Sequence, residues 1–494
     1  MRKLFCKKKV LATLVCSLSS VVAMPSFAEQ PVTPEEELAY NLGVQAFVYG
    51  TGPLTVAAVR QTTTSVDAAM DNGMAPLNEM GKTRALSGPQ EQIVPTVNND
   101  TLYSQAHYDL DLSGPMVLDI PKTDNRYYIV QLLDAYSESI DDLHIKNAGD
   151  QGSKVLLVNK GWKGEVPDGI DRVVESRTPM VWLIHRTGVF GEQDLKDALV
   201  VHDQFLSYPL NELDKKHTPA KLKHASGGIP PMARPEGLEW YALIDRELRK
   251  NPIPEDAPIV EQFEQIGIGG DTPFNPEALS PEQQKGLLRA IESSQKIIQY
   301  AGRSIGDINN GWSMMYEGGR YGNDYLSRAS INLRAAGLNV PERALYPNRY
   351  TDSKGEQLSG QHQYRMTMPA DAPAEAFWSL TMYDAKHLFM VENFIQRYSI
   401  STNRKQELIY AEDGTLPICI QYNKPTDPTC NWLPAPKDDF YLHMRLYEPT
   451  QAVLDNQYPA TAGNQALILE SEARNTLPPL PQRRYPPSLR SISR

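Results

Sequence analysis

The sequence predicts a mainly β chain with some α: two antiparallel β-sandwich or jelly-roll-like domains joined by a helical segment. Three observations carry this expectation. Apolar residues alternate with a period near two from Val94 to about Val189, and again from Gln363 to Pro449. The period lengthens to that of a helix between Gly191 and about Ile305. The strand-like runs are short and divided by Gly, Pro, Asp and Asn turns, which suits a sandwich or barrel better than a βαβ sheet. The expected units are a signal at 1–28, a helix plus sandwich at 29–190, a helical connector at 191–310, a second sandwich at 311–475 and a Pro-rich basic tail at 476–494.

The first 28 residues carry a basic start (Arg2, Lys3, Lys7 to Lys9), an apolar run from Val10 to Met24, and the small-x-small triplet Ser26-Phe27-Ala28. That layout predicts a removable secretory signal cleaved after Ala28, and a periplasmic or secreted protein. Losing its five positive charges takes the formal net charge from −11 to −16. Such an acidic chain repels phosphate backbones, so nucleic acid is excluded as a partner. No later apolar run is of spanning length, so stable membrane insertion is not expected.

Each element follows from local grammar. Thr33-Pro34-Glu35-Glu36 reads as an N-cap, a first-turn proline and a capping-box acid ahead of LAYNLGVQAFVYG, with Leu38, Leu42, Gln45 and Tyr49 at helical spacing. PMVLDI, RYYIVQLLD, KVLLV and MVWLIHR read as strands. DLKDALVVHDQFLSYPL, LEWYALIDRELRK and SPEQQKGLLRAIESSQKIIQYAG read as helices, the last capped by Ser280 with Pro281 and Gln283. The loop HASGGIPPMARPEG between the first two is long enough to be a binding loop or a connector. In FYLHMRLYEP, Phe440, Leu442, Met444 and Leu446 face one way, while Tyr441, His443, Arg445 and Tyr447 face the other. FWSLTMYDA, LFMVEN and LPICIQYN extend the second β unit.

Cys419 and Cys430 are the cysteines left after the signal. In an oxidising compartment they predict one disulfide closing the turn-rich stretch IQYNKPTDPT.

No GxSxG elbow, HExxH, P-loop or GxGxxG occurs, and Ser293-Ser294-Gln295-Lys296 reads as a solvated helix face. No cofactor or metal is expected; whether Asp141, Asp142 and His144 hold a cation is left open. Two polar groupings stand out. Asn98, Asn99, Asp100 and Thr101 crowd one turn, followed by Tyr103, and Asp134 ends an otherwise apolar strand. A carboxyl against an apolar wall suits acid–base chemistry, and turn stabilisation would explain it equally. The second grouping places Tyr325 and Arg328 on a starting helix after Gly318, Gly319 and Gly322. Trp378, Tyr383, Asp384, Arg397 and Tyr398 follow. Aromatic rings with fixed polar groups suit a polar small molecule or glycan; they also build ordinary β cores.

NNDTLYSQAHYDL, RYYIVQLLDAY, GWKGEVPDG and SRTPMVWLIHRTGV resemble the N-terminal domain of unknown function 1254. RYGNDYLSRASINLRAAGL, FWSLTMYD, RYSIST, EDGTLPICIQ and NWLPAP resemble its C-terminal companion, domain of unknown function 1214. The resemblance implies two sandwich or jelly-roll-like domains linked by helices, and no established reaction. Two segments depart from the family pattern: DDLHIKNAGDQGS replaces a Gly-rich stretch, and QYPATAGNQ an aromatic-Pro-Pro ending. Three functions stay open: binding of a polar small molecule or glycan, a periplasmic hydrolase or lyase acting through Asp100 or Asp134, and a structural assembly protein. A homo-oligomer is expected, because the apolar helix stripes need covering.

Overall fold

Thr33 caps the opening helix as its sequence dictates: its hydroxyl accepts the Glu36 N–H at 3.1 Å, with Pro34 in the first turn. The computed structural model describes residues 32–92, 96–304, 306–458 and 469–474. The expected signal at 1–28, most of QYPATAGNQ and the 476–494 tail lie outside the described residues.

This helix runs Pro34–Thr63, well beyond the expected LAYNLGVQAFVYG, and passes through Pro53. Proline has no N–H, so the Tyr49 carbonyl four positions back loses its intrahelical donor. The Arg328 side chain replaces it, Nη2 to O at 3.0 Å. By length and composition the helix could cross a membrane, but 67% of its most apolar window is buried. It packs against the helices Glu239–Lys250, Pro281–Ser304 and Tyr325–Ala335. Leu38, expected on the inner stripe, is exposed; Ala39, Leu42, Ala46, Phe47 and Tyr49 form the buried face. The crossing with Pro281–Ser304 is close because Gly286 has no side chain: a Cβ there would lie 2.3 Å from the Glu36 carbonyl oxygen. Ser280 and Gln283 form the reciprocal capping box expected at the start of that helix, with bonds of 3.0 and 3.1 Å.

The N-terminal sandwich contains β1 (Met80–Lys82), β2 (Thr101–Asp109), β3 (Met116–Lys122), β4 (Tyr128–Asp134), β5 (Ser139–His144), β6 (Gln151–Asn159), β7 (Arg172–Ser176), β8 (Met180–Gly188) and β9 (Leu206–Pro209). One sheet has the order β1-β2-β8-β4-β5 and the other β7-β6-β3-β9. Alternate residues such as Tyr128, Val130 and Leu132 of β4, Val155 and Leu157 of β6, and Val181 and Leu183 of β8 fill the space between them. The sheet reaches past residue 190, because β9 pairs with β3.

The C-terminal sandwich contains β10 (Asp307–Asn309), β11 (Trp312–Met314), β12 (Ala344–Leu345), β13 (Asn348–Arg349), β14 (His362–Met368), β15 (Ala374–Asp384), β16 (Ser399–Ser401), β17 (Leu416–Gln421), β18 (Asn431–Pro434), β19 (Phe440–Pro449) and β20 (Glu470–Arg474). Its sheets are ordered β10-β11-β13-β19-β15-β16, with β12 on β19, and β18-β17-β14-β20. Phe440, Leu442, Met444 and Leu446 of β19 point into this core as their alternation predicts. Cys419 and Cys430 are bonded, with Cα atoms 5.8 Å apart, across the link between the parallel strands β17 and β18. Helix and strand occur in nearly equal measure, 29% and 28%; the sheets are mostly antiparallel and none closes.

Candidate functional site

The opposite face of β19, formed by Tyr441, His443, Arg445 and Tyr447, is buried as well. These residues lie under a strap of five consecutive residues leading into β2. The Tyr441 hydroxyl lies 2.6 Å from Thr96 Oγ1, and Arg445 Nη2 donates to the Thr96 carbonyl at 2.8 Å. The Tyr383 hydroxyl donates to the Val97 carbonyl at 2.5 Å. Asn98 Nδ2 donates to the Tyr447 hydroxyl at 2.7 Å. Ser399 donates to Asn99 Oδ1 at 3.1 Å, and Ser379 to Asp100 Oδ2 at 2.5 Å. The crowding of polar side chains in this turn is thereby explained: Asn98, Asn99 and Asp100 fasten one sandwich to the other. Thr101 adds a local bond, accepting from Asn98 Nδ2 at 3.2 Å.

Beyond the strap the outer face of the N-terminal sheet meets the segment leading to β12 and β13, a seam called the cleft below. Strand register sets Tyr103 opposite Arg186, and Gln131 opposite Asp142, on this face. Arg186 Nη1 donates to Gln131 Oε1 at 3.0 Å and to Asn339 Oδ1 at 3.2 Å, and Nη2 to the Gly337 carbonyl at 3.3 Å. Its Nε approaches the Tyr103 hydroxyl at 3.4 Å, and its guanidinium carbon lies 5.3 Å from the ring centroid. Asn339 Nδ2 donates to the Tyr346 hydroxyl at 2.6 Å. Tyr103, Tyr346 and Asp142 are partly exposed, whereas Arg186 and Asn339 between them are buried.

Arg186 and Arg445 are both buried, and among the described residues neither makes an ion pair. Burial pushes the Tyr103 phenol up, but Arg186, Arg445 and Asn98 outweigh it and hold the group below its ordinary value. Burial, helped by Asp141 and opposed by Arg343 and Arg186, pushes Asp142 up to about 6.

The remaining sequence candidates fall elsewhere. Asp134 sits at the far end of β4, where it pairs in register with Val181, while Thr101 pairs with Gly188. At about 3.3 Å per residue, roughly 20 Å separates it from the strap. Its Oδ1 accepts the N–H groups of Tyr136 and Glu138, and its Oδ2 accepts Arg177 Nε at 2.5 Å, so it holds a turn. Asp100 and Asp134 therefore do not share a site. Tyr325 and Arg328 belong to the helical core: the Arg328 guanidinium is caged by the rings of Tyr49, Tyr136 and Tyr325 at 5.1, 5.1 and 4.9 Å. The Tyr325 hydroxyl donates to Asp256. Arg397 joins neither cluster; it donates to the Trp432 carbonyl at 3.2 Å. Asp141 and Asp142 are neighbours on β5 and point to opposite faces, Asp141 pairing with Arg172 and His144 facing Glu448 at 3.6 Å. No group of three potential metal ligands converges among the described residues.

Sequence reasoning missed a buried ring of four hydrogen bonds. Ser104 Oγ lies 3.1 Å from His185 Nδ1 and from His202 Nε2, and Thr187 Oγ1 lies 3.0 Å from His185 Nε2 and 2.9 Å from His202 Nδ1. Two neutral imidazoles and two hydroxyls supply four protons for four bonds, so the ring closes with every group satisfied. Lys82 lies beside it, buried and donating to the carbonyls of His202, Asp203 and Phe205, with its amine lowered to about 8 by burial. The alternation of Ser104 with its strand neighbours and of His185 with Thr187 was the available signal.

An open apolar depression of about 410 Å³ on the C-terminal sandwich, lined by Trp312, Met314, Met444, Leu446 and Tyr458 among others, has no charged side chain. The cleft is the chemically richer site.

A solved structure shares this fold. The VPA0106 protein from Vibrio parahaemolyticus is similar in fold, with a TM-score of 0.66 and 22% identity over 88% of this chain and all of that one. A putative uncharacterized protein from Burkholderia cenocepacia matches at a TM-score of 0.41 and 11% identity, over 84% of this chain and 92% of that one. No curated protein matches the chain. Residues 77–209 match the model of the protein family of unknown function DUF1254, which spans the N-terminal sandwich, and residues 343–451 match that of DUF1214, which spans most of the C-terminal one. The chain thus matches DUF1254 over its N-terminal sandwich and DUF1214 over most of its C-terminal one.

Proposed function

We propose that this protein binds a polar small molecule in the cleft lined by Tyr103, Arg186, Tyr346, Asn339 and Asp142. One observation carries the reading: between the sheet face and the Gly337–Tyr346 segment, partly exposed Tyr103, Tyr346 and Asp142 surround the buried, hydrogen-bonded groups of Arg186 and Asn339. Such a mixture offers ring faces for stacking and fixed polar groups for orientation. The hydrolase or lyase reading is weaker, because Asp134 is spent on a turn and Arg177. Native mass spectrometry of the purified full chain, followed by calorimetry with recovered or screened polar compounds, tests the proposal. Binding that Arg186→Gln weakens at least tenfold supports it; binding indifferent to that change and to Tyr346→Phe overturns it. The sequence of residues 1–28 supports export, and a mature N-terminus at Glu29 would bear that out.

A further inference from the structure

The oxygen of Tyr103 has an unusual set of neighbours. It accepts from Asn98 Nδ2 at 3.1 Å and from Arg186 Nε at 3.4 Å, and no acceptor among the described residues takes its own proton. A neutral phenol filled by two donors must send its hydrogen into the cleft, whereas a phenolate has a third acceptor position free there. The charges around it favour the anion. Arg186 approaches from β8, Arg445 and Tyr447 from β19, Asn98 from the strap, Tyr127 from the start of β4 and Tyr346 from the segment before β13. Asp100, behind Tyr447, acts on Arg445 and Tyr447. Arg186 therefore lacks a paired carboxylate and approaches the phenol oxygen of Tyr103, while Arg445 donates to the Tyr383 hydroxyl at 2.9 Å and acts on Tyr103 only by its charge. The amide of Asn98 serves both Tyr103 and Tyr447, and burial drives Tyr447 well up.

We propose that Tyr103 works as a tyrosinate that receives a hydrogen bond from a hydroxyl group of the bound molecule, so the cleft selects hydroxylated neutral compounds over carboxylates. This rests on the cleft being a binding site. Arg186 then serves as the internal counter-ion of Tyr103, with its N–H groups already spent on Gln131, Asn339 and Gly337. A ligand carboxylate would face Tyr103 and Asp142 instead.

The test is a pH titration of the full chain followed by the near-ultraviolet absorption of tyrosinate. One of the 24 tyrosines is expected to ionise below the ordinary phenol value of about 10. Tyr103→Phe should remove that step. Should this variant not fold, Arg186→Lys, which keeps charge but lacks the Nε donor, should move the step upward. A wild-type titration with no early step overturns the proposal, whatever the cleft binds. D-glucose and myo-inositol, probed against acetate, address the ligand class. Polyols should lower the step, by about half a pH unit for a threefold preference for the anion. A shift with acetate and none with polyols overturns the hydroxyl assignment. A polar-compound screen that binds nowhere in the cleft overturns the binding reading and the ligand class, while the early step still decides the tyrosinate.

Discussion

The carbonyl of Tyr49, which Pro53 deprives of its helical donor, receives its hydrogen bond from Arg328 of a helix 279 positions away. The side chain that sequence spacing marked as a ligand group thus completes a backbone. Removing it leaves that carbonyl and three tyrosine faces unmatched.

Arg328→Ala should cost about 3 kcal/mol or more in chemical denaturation. In a Pro53→Ala background, where the backbone N–H returns, the cost should shrink by about 1 kcal/mol. Equal costs in both backgrounds would contradict the repair of the helix by Arg328.

Asn98→Ala and Tyr447→Phe each remove one end of a buried 2.7 Å bond between the sandwiches. Asn98→Ala should lower stability by about 1–3 kcal/mol, and the double variant by less than the sum of the singles. Strict additivity in a denaturation cycle would mean that the bond contributes nothing.

Asp134→Asn should lower the melting temperature while leaving ligand affinity unchanged, because its carboxylate serves two backbone amides and Arg177. The expected cost is about 1.5–3 kcal/mol, moderated by the partial exposure of Arg177. A ligand affinity that falls with stability intact would return Asp134 to the site.

Acid should unfold this protein early. Burial lowers His107 and His202 to about 3 and His144 to about 4, and drives His185 and His443 well down. A histidine lowered on folding binds fewer protons folded than unfolded between its two values. Its stabilisation is complete above about 6.5 and is lost as pH falls toward 3–4. Each should steepen the fall by up to about 1.4 kcal/mol per pH unit, read from denaturation midpoints between pH 7.5 and 5. Ser104→Ala, which opens the ring between His185 and His202, should destabilise at every pH by about 1–3 kcal/mol. A flat stability profile would mean that these histidines are not held neutral.

Cys419–Cys430 closes a short loop, so reduction should cost up to about 3 kcal/mol. Thiol titration of the denatured, unreduced chain should find no free thiol at either position.

What depends on neighbouring residues was legible. The caps at Thr33 and Ser280 are bonds over three positions, and the inward half of β19 follows from its alternation. The helix end was misjudged because Pro53 normally stops a helix, and its remedy lies on Arg328. The other half of β19, from Tyr441 to Tyr447, has no local sign of its partner; only the strap makes it an interface. Asp100 and Asp134 belong to one domain, but strand direction sets them at opposite ends of a sheet. The ring of Ser104, His185, Thr187 and His202 depends on register between β2 and β8, which no local pattern specifies.

The strap from Thr96 to Asp100 also bears on how such a chain can change over generations. Each of its five residues answers a particular group on the partner sheet, from Tyr441 to Ser379. A recombination event that exchanged one half with that of a distant homologue would set an unmatched strap over buried arginine and tyrosine. The two halves are therefore inherited as one unit, and their junction diverges only by paired steps.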